Sequence, residues 1–237
     1  MLKKWFSLEL KRIATDLPPE VRADAERDIG LLGRAGINSF ELLVSALQDQ
    51  GTSLDLRRVA CWVLGRLRNK RDVDVLLSAF DEQDMQLSWE AAKSLALVKS
   101  KRALKPLIVA LSEAKDRNKR QAAAYALGSL CDKRAVEPLI KTLTNTLEDA
   151  TVRGQAAESL GNSRDRRAVG PLIAPLKDAS TEVRFWSAFA LGQLGDRRAL
   201  KELTRLAATD RSILDGWWEV SKEASDAIAC IRGEEKH

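Results

Sequence analysis

Apolar residues along this chain recur at i, i+3, i+4 and i+7, and no window alternates with period two, so the pattern predicts helices and no strands. One block recurs as RRVACWVLGRL (57–67), SWEAAKSLALV (88–98), KRQAAAYALGSL (119–130), RGQAAESLGNS (153–163) and RFWSAFALGQL (184–194), sharing the pattern AAxALG. Its Gly position falls at Gly65, Ala96, Gly128, Gly161 and Gly192, spaced by 31, 32, 33 and 31 residues. Between these blocks lies a second set: RALKPLIVAL (102–111), RAVEPLIKTL (134–143), RAVGPLIAPL (167–176) and RALKELTRLA (198–207). Each repeat is therefore expected to be two helices, the Ala-rich one allowing close approach and the Leu/Ile-rich one filling the groove. Weaker copies stand at 26–33 (ERDIGLLG) and, after a six-residue insertion, at 219–231 (EVSKEASDAIACI).

Local chemistry fits that division. The Gly of AAxALG is expected to serve either a left-handed cap or a tight helix contact. Asp132, Asp165 and Asp196, four residues later, are placed to cap the next helix, and Pro106, Pro138 and Pro171 fall in or near its first turn, where a missing N–H costs least. Arg57, Arg120, Arg153 and Arg184, eight before the Gly position, recur in four of five units, and Arg71, Arg102, Arg134, Arg167 and Arg198, six after it, in all five. Both sets are expected to pair with loop Asp residues and helix ends of neighbouring repeats.

These residues resemble the HEAT-like repeats of the short, phycobilisome-lyase-like type, whose consensus runs close to VRxxAAxALGxLGDxRAxxPLIxxL. The resemblance implies an all-α fold, a right-handed alpha-alpha superhelix of about five strong and two degenerate two-helix repeats. A single solenoid domain over 1–237 is expected, with 1–50 as N-terminal cap and degenerate repeat, 51–207 as five regular repeats and 208–237 as a C-terminal capping repeat. The PLI helices would lie on the convex side and the AAxALG helices along the concave side. Family members attach, remove or isomerise linear tetrapyrroles on phycobiliproteins, often as heterodimers, so a bilin or phycobiliprotein is an implied partner.

Positions that vary between repeats are free to serve a partner. The concave class of position, three, six, seven, ten or eleven before the Gly, holds Arg58, Trp62, Trp89, Glu90, Lys93, Gln121 and Tyr125 in the first three strong units. It continues with Gly154, Gln155 and Glu158, then Phe185, Trp186 and Phe189, and last Trp218, Lys222 and Asp226. Seven of the twelve aromatics occupy this class, which predicts a partner-binding groove built from Arg58, Trp62, Trp89, Tyr125, Phe185, Trp186, Phe189 and Trp218. Core positions already hold Ala and Leu, so these rings are expected outside the core, with Gly154 leaving a gap that a partner's side chain or ring enters. The position before the second Arg is basic every time, at Lys70, Lys101, Lys133, Arg166 and Arg197, which predicts a basic edge facing an acidic protein, a phosphate backbone or an anionic membrane.

Composition then narrows the chemistry. The chain has 237 residues, a formal charge of +5, three Cys and one His. The His is His237, so a His base, a Ser-His or Cys-His pair and His-based metal sites, including the His-Glu di-iron site of repeat-built hydroxylases, are not expected. Cys61, Cys131 and Cys230 are isolated and odd in number, which fits a reducing compartment. The charge-free stretch Phe185–Gly195 has only 11 residues, well short of a membrane span. The expectation is a soluble, cytoplasmic, non-catalytic interaction scaffold without cofactor or metal, binding a protein through the aromatic groove. The competing reading is a bilin lyase or chaperone-like subunit in which Arg58, Lys93 and Arg117 meet the propionates of a linear tetrapyrrole. A lesser one is an anionic partner on the basic edge; nucleic acid is disfavoured because Asp132, Asp165 and Asp196 stand beside that edge.

Overall fold

The computed structural model describes residues 39–233, and the weak copy at 26–33, Pro18-Pro19, Trp5, Phe6 and His237 lie outside them. All regular elements in this span are helices: α1 (Ser39–Gln48), α2 (Leu54–Leu67), α3 (Val73–Asp81), α4 (Met85–Val98), α5 (Leu104–Glu113) and α6 (Arg117–Leu130). They continue with α7 (Val136–Thr144), α8 (Ala150–Asn162), α9 (Val169–Ile173), α10 (Thr181–Leu194), α11 (Leu200–Thr209) and α12 (Val220–Arg232). The PLI pattern falls on the odd-numbered helices α5, α7 and α9, and the AAxALG blocks fall on the even-numbered ones from α2 to α10. Among the described residues the sole strand-like feature is one isolated antiparallel bridge, Ile213 to Glu219.

The chain divides into two compact units with the boundary between Ala103 and Leu104. Within the first, α1 packs on α2, α3 on α4, and α2 on α4. Within the second, α5 to α12 form successive pairs, and α6, α8, α10 and α12 pack each on the next. The even layer is close because its contact face is Ala, Gly and Ser: Ala122, Ala123, Ala124 and Ala126 are all fully buried. Gly128 serves this contact and not a cap, since a Cβ there would stand 2.5 Å from the Cβ of Ser159 on the next even helix. The left-handed residue comes three positions later and is mostly not glycine: Arg68, Lys99, Cys131 and Arg164 have φ of 50 to 52°, and Gly195 has 64°. Each non-Gly residue there costs about 1 to 2 kcal/mol, which the surrounding packing offsets.

The loops after these caps repeat one device. Asn69, Ser100, Asp132, Asp165 and Asp196 each accept a bond from the backbone N–H two residues on, opening a short 3-10 turn before the odd helix. Pro106, Pro138 and Pro171 are each third in that helix, where the N–H has no partner in any case. A second proline, Pro175, cannot donate to the helical ladder, and the chain tightens into a 3-10 turn over Ala174–Lys177.

The early arginines of the even helices tie the repeats together, as the sequence predicts. Arg57 donates to the Leu47 carbonyl at the end of α1 and to Glu82 Oε2 at 2.8 Å. Arg120 holds Glu148 at 2.7 and 2.8 Å together with the Ala114 carbonyl, and Arg153 holds Asp178 and the Glu148 carbonyl. Arg184 holds Asp210 at 2.6 Å and the Asp178 carbonyl. Each guanidinium thus ties the end of the preceding odd helix, or the loop just after it, to the loop of the following repeat. Removing one partner of so buried a pair costs about 3 to 5 kcal/mol.

Candidate functional site

In the second unit the period is broken by residues 210–219, between α11 and α12, and this insertion builds the most distinctive surface. Its feet are tied by Val220 N–H to the Ser212 carbonyl at 2.9 Å and Ser221 N–H to the Asp210 carbonyl at 3.0 Å. Arg184 also donates to Ser212 Oγ at 2.9 Å, so the clamp that joins repeats here holds the first foot, to which the second is tied. The tip turns through Trp217 N–H to the Leu214 carbonyl at 2.8 Å, with Gly216 at φ 77°, a conformation that suits a residue without Cβ.

The tip lays Trp217 and Trp218 against the first turns of α10. Trp217 is 5.1 Å from Trp186, 5.4 Å from Trp218 and 5.7 Å from Phe185, measured between ring centroids. Trp186 meets Phe185 at 5.2 Å and Phe189 at 5.5 Å, both edge to face. Trp218 is fixed by its indole N–H to Glu223 at 2.9 Å, with the Lys222 ammonium 5.6 Å from its ring centre. Beside this cluster opens a cleft of about 590 Å³, with Thr181, Glu182 and Trp186 on one wall and Ile213, Leu214 and Trp217 on the other.

Two sequence expectations are corrected here. Phe185 is fully buried and not part of an open groove, because the insertion covers it with Trp217 and Trp218 while Trp186 packs at its edge. Gly154 leaves no gap: it is buried, and a Cβ there would meet Glu182 Cγ at 2.9 Å and Trp186 Cδ1 at 3.1 Å, so α10 already fills the space.

The remaining predicted residues are placed as follows. In the second unit Tyr125, Trp186 and Phe189 are half-buried, whereas Trp218 is 40 % exposed and Trp217 46 %. In the first unit Trp62 and Trp89 are half-buried, and Arg66 lies over the Trp62 ring, its guanidinium 5.5 Å from the centroid. Arg58 donates to Gln86 at 2.8 Å, and Lys93 pairs with Glu90 at 3.5 Å. Arg117, in the second unit, pairs with Asp149 at 2.9 Å. Lys70 and Lys101 in the first unit and Lys133, Arg166 and Arg197 in the second are all exposed.

Two carboxyls, Glu182 in the cleft wall and Glu158 on α8, are held toward their neutral form. Burial raises the pKa of Glu182, and nearby Asp149 adds to the shift; burial likewise raises that of Glu158, against a hydrogen bond from Gln155 that lowers it. Asp149 itself is held down at about 2, chiefly by Thr151 and Arg117. The cleft thus offers flat rings and a carboxyl whose pKa burial raises. Sequence reasoning singled out neither Glu182 nor Trp217. Glu182 does sit ten before Gly192, within the concave class, and Trp217 stands in the only insertion that breaks the regular period. Among the described residues no cluster of metal-ligating side chains occurs and no helix is long and apolar enough to cross a membrane.

Comparisons with known proteins agree with this architecture. A chain in the complex of CpcE and CpcF of phycocyanin lyase from Nostoc sp. PCC7120 superposes with TM-score 0.57 at 27% identity, over 72% of this chain and 70% of that one. A structure of Kap95p bound to RanGDP gives TM-score 0.70 over 99% of this chain at 16% identity, a likeness of the solenoid fold alone. The bilin biosynthesis protein PecE of Nostoc sp. is 33% identical over 117 residues, and that of Mastigocladus laminosus is 33% identical over 114. These matches take in 46% and 45% of this chain, and the chain spans slightly less than half the length of these curated relatives, 46% and 42%. The family of HEAT repeats matches at residues 79–149 and 140–217, more than half of the chain. The chain therefore belongs to the HEAT repeat family.

Proposed function

We propose that this protein handles a linear tetrapyrrole, as a bilin lyase or chaperone-like subunit working with a protein partner, and that the ligand lies in the cleft lined by Trp186 and Trp217. The observation that carries the reading is the cleft itself, about 590 Å³ and walled by indole rings from two elements. That volume is within the range of about 300 to 1,000 Å³ usual for small-molecule sites. Trp217, 46 % exposed, would stack on the conjugated chain with Trp186 at its edge, and Glu182, held toward its neutral form, would hydrogen-bond its polar pyrrole edge. Support also comes from the relatives, which carry the names bilin biosynthesis protein and phycocyanin lyase.

The test mixes the purified chain with a free linear tetrapyrrole such as biliverdin and follows visible absorbance and tryptophan fluorescence. A shifted absorbance band with quenching, and an affinity about tenfold weaker for Trp217→Ala, is the expected result. An unshifted spectrum at saturating pigment would overturn it. A second reading, a scaffold that docks a protein on the same ledge, draws on the exposure of Ile213 at 64 %, Trp217 at 46 % and Trp218 at 40 %. It predicts Trp217-dependent protein binding without any spectral change.

A further inference from the structure

The loops between even and odd helices of the second unit carry a charge pattern that the aromatic cleft does not use. Three consecutive loops, 131–134, 163–167 and 195–198, contain seven cations and three carboxylates. Each carboxylate is held first by an arginine of its own loop, and Asp165 and Asp196 also feel Lys133 and Arg166 of the loop before. Arg134, Arg167 and Arg198 grip Asp132, Asp165 and Asp196 at 2.8 to 3.0 Å, and each Asp also accepts a backbone N–H. These arginines hold Asp165 and Asp196 at a pKa of about 2, so the pairs stay intact throughout the neutral range.

The loops also adjoin one another. Arg167 donates to the Lys133 carbonyl of the preceding loop at 3.0 Å, and Arg166 reaches Asp196 of the following loop at 3.3 Å. Four cations remain: Lys133, Arg166 and Arg197, each first in its 3-10 turn and exposed, Arg166 to 74 %, and Arg164, exposed at the start of the middle loop. Among the described residues Lys133 and Arg197 make no ion pair. In the first turns of the adjoining odd helices the exposed Glu137 acts on Arg167 and leaves this excess in place. The result is a cationic edge with a regular step.

We propose that this edge docks an acidic α-helix of a partner protein, laid along the stack with one carboxylate per repeat. Helices in contact lie about 8 to 10 Å apart, which sets the step between successive loops. A partner helix advances 1.5 Å per residue, so carboxylates seven residues apart, about 10.5 Å and two turns on one face, match that step. A nucleic acid duplex carries a charge about every 1.7 Å and calls for a denser row of cations. Membrane headgroups are met by clusters of about four to eight Lys and Arg, not by single cations one helix width apart.

The test uses the full chain and fluorescence anisotropy at low salt. The probe is a labelled 22-residue helical peptide, Ala and Gln rich, with Glu at three positions seven apart. The expected result is binding that weakens steeply with added salt, at least fivefold weaker for a peptide of the same composition with the three Glu on different faces. Lys133→Glu, Arg166→Glu and Arg197→Glu together should lower affinity at least tenfold with circular dichroism unchanged, and the milder triple change to Gln should give an intermediate loss. Trp217→Ala should leave peptide binding unchanged, which separates this surface from the pigment cleft. Equal binding of the respaced peptide, an unaffected triple variant, or tighter capture by heparin or phosphatidylserine vesicles through the same three residues would overturn the proposal.

Discussion

The two compact units share a repeat but diverge at homologous positions. Seven residues before the Gly position stands Arg58 in the first unit, part-exposed and bonded to Gln86, and Phe185 in the second, fully buried under the inserted tryptophans. Seven residues after it stands Asp72 in the first unit, whereas Ala103, Ala135, Ala168 and Ala199 hold the same place in the other four repeats. All five side chains are buried, at 0 to 2 % exposure, and Asp72 keeps one carboxylate oxygen without a hydrogen bond. The loop acids also differ: Asn69 and Ser100 cap in the first unit, and Asp132, Asp165 and Asp196 in the second. The same backbone thus tolerates opposite chemistry at one position, provided that the neighbouring elements accommodate it.

The largest effect expected from breaking this comparison is at the first pair. Phe185→Ala should destabilise the protein by about 3 to 5 kcal/mol, since it empties a buried site, whereas Arg58→Ala should cost under about 1 kcal/mol. Chemical denaturation of the two variants decides this, and similar losses would show that Phe185 is not the core residue its burial implies.

Asp72 gives the next effect, with the opposite sign. Burial pushes its carboxyl up to about 6, so the folded state binds the proton more tightly than the unfolded chain, where it titrates near 4. Its favourable protonation is fully present below about pH 4 and is lost as pH rises through about 6, where a buried unpaired charge remains. Asp72→Ala should therefore stabilise the protein by about 2 kcal/mol at pH 7.5 and by progressively less as pH falls toward 4. Thermal melts across that range check it; a gain that does not change with pH would assign the effect to packing.

Much of the fold that these variants probe was legible in the residues themselves. The 3.6 periodicity marked the helices, and Arg57, Arg120, Arg153 and Arg184 were readable as clamps because they recur in phase with the carboxylates they hold. The site was less legible. Phe185 and Trp186 are adjacent and about 100° apart on α10, and both border the concave stripe, so periodicity could not say which one turns inward. Gly154 looked like a vacancy because Glu182 and Trp186, which fill it, lie about 30 residues further on. The insertion was visible as a break in the period, but not the ring contacts by which it recruits Trp217.

The smallest effect belongs to the loop acids. Asp165 and Asp196 have folded pKa values depressed to about 2 by their arginines, so their contribution is present above about pH 4 and is lost as pH falls toward 2. Asn69 and Ser100 make no such contribution. Replacing Asp165 and Asp196 by Asn should therefore flatten the acid limb of stability while keeping the capping bond, and an acid titration followed by circular dichroism reads the difference.

By itself the sequence determined the class of helix at each position, the repeat length, the capping loops and the arginine clamps, because these depend on contacts at fixed separations along the chain. Only the tertiary structure decided which aromatic is core and which lines a cleft, how the insertion folds back on α10, and which cations remain outward once their neighbours are paired. Those outcomes depend on what each helix face meets across the layer. A residue's own neighbours in sequence place it on a face, and the packing of distant segments decides whether that face is covered.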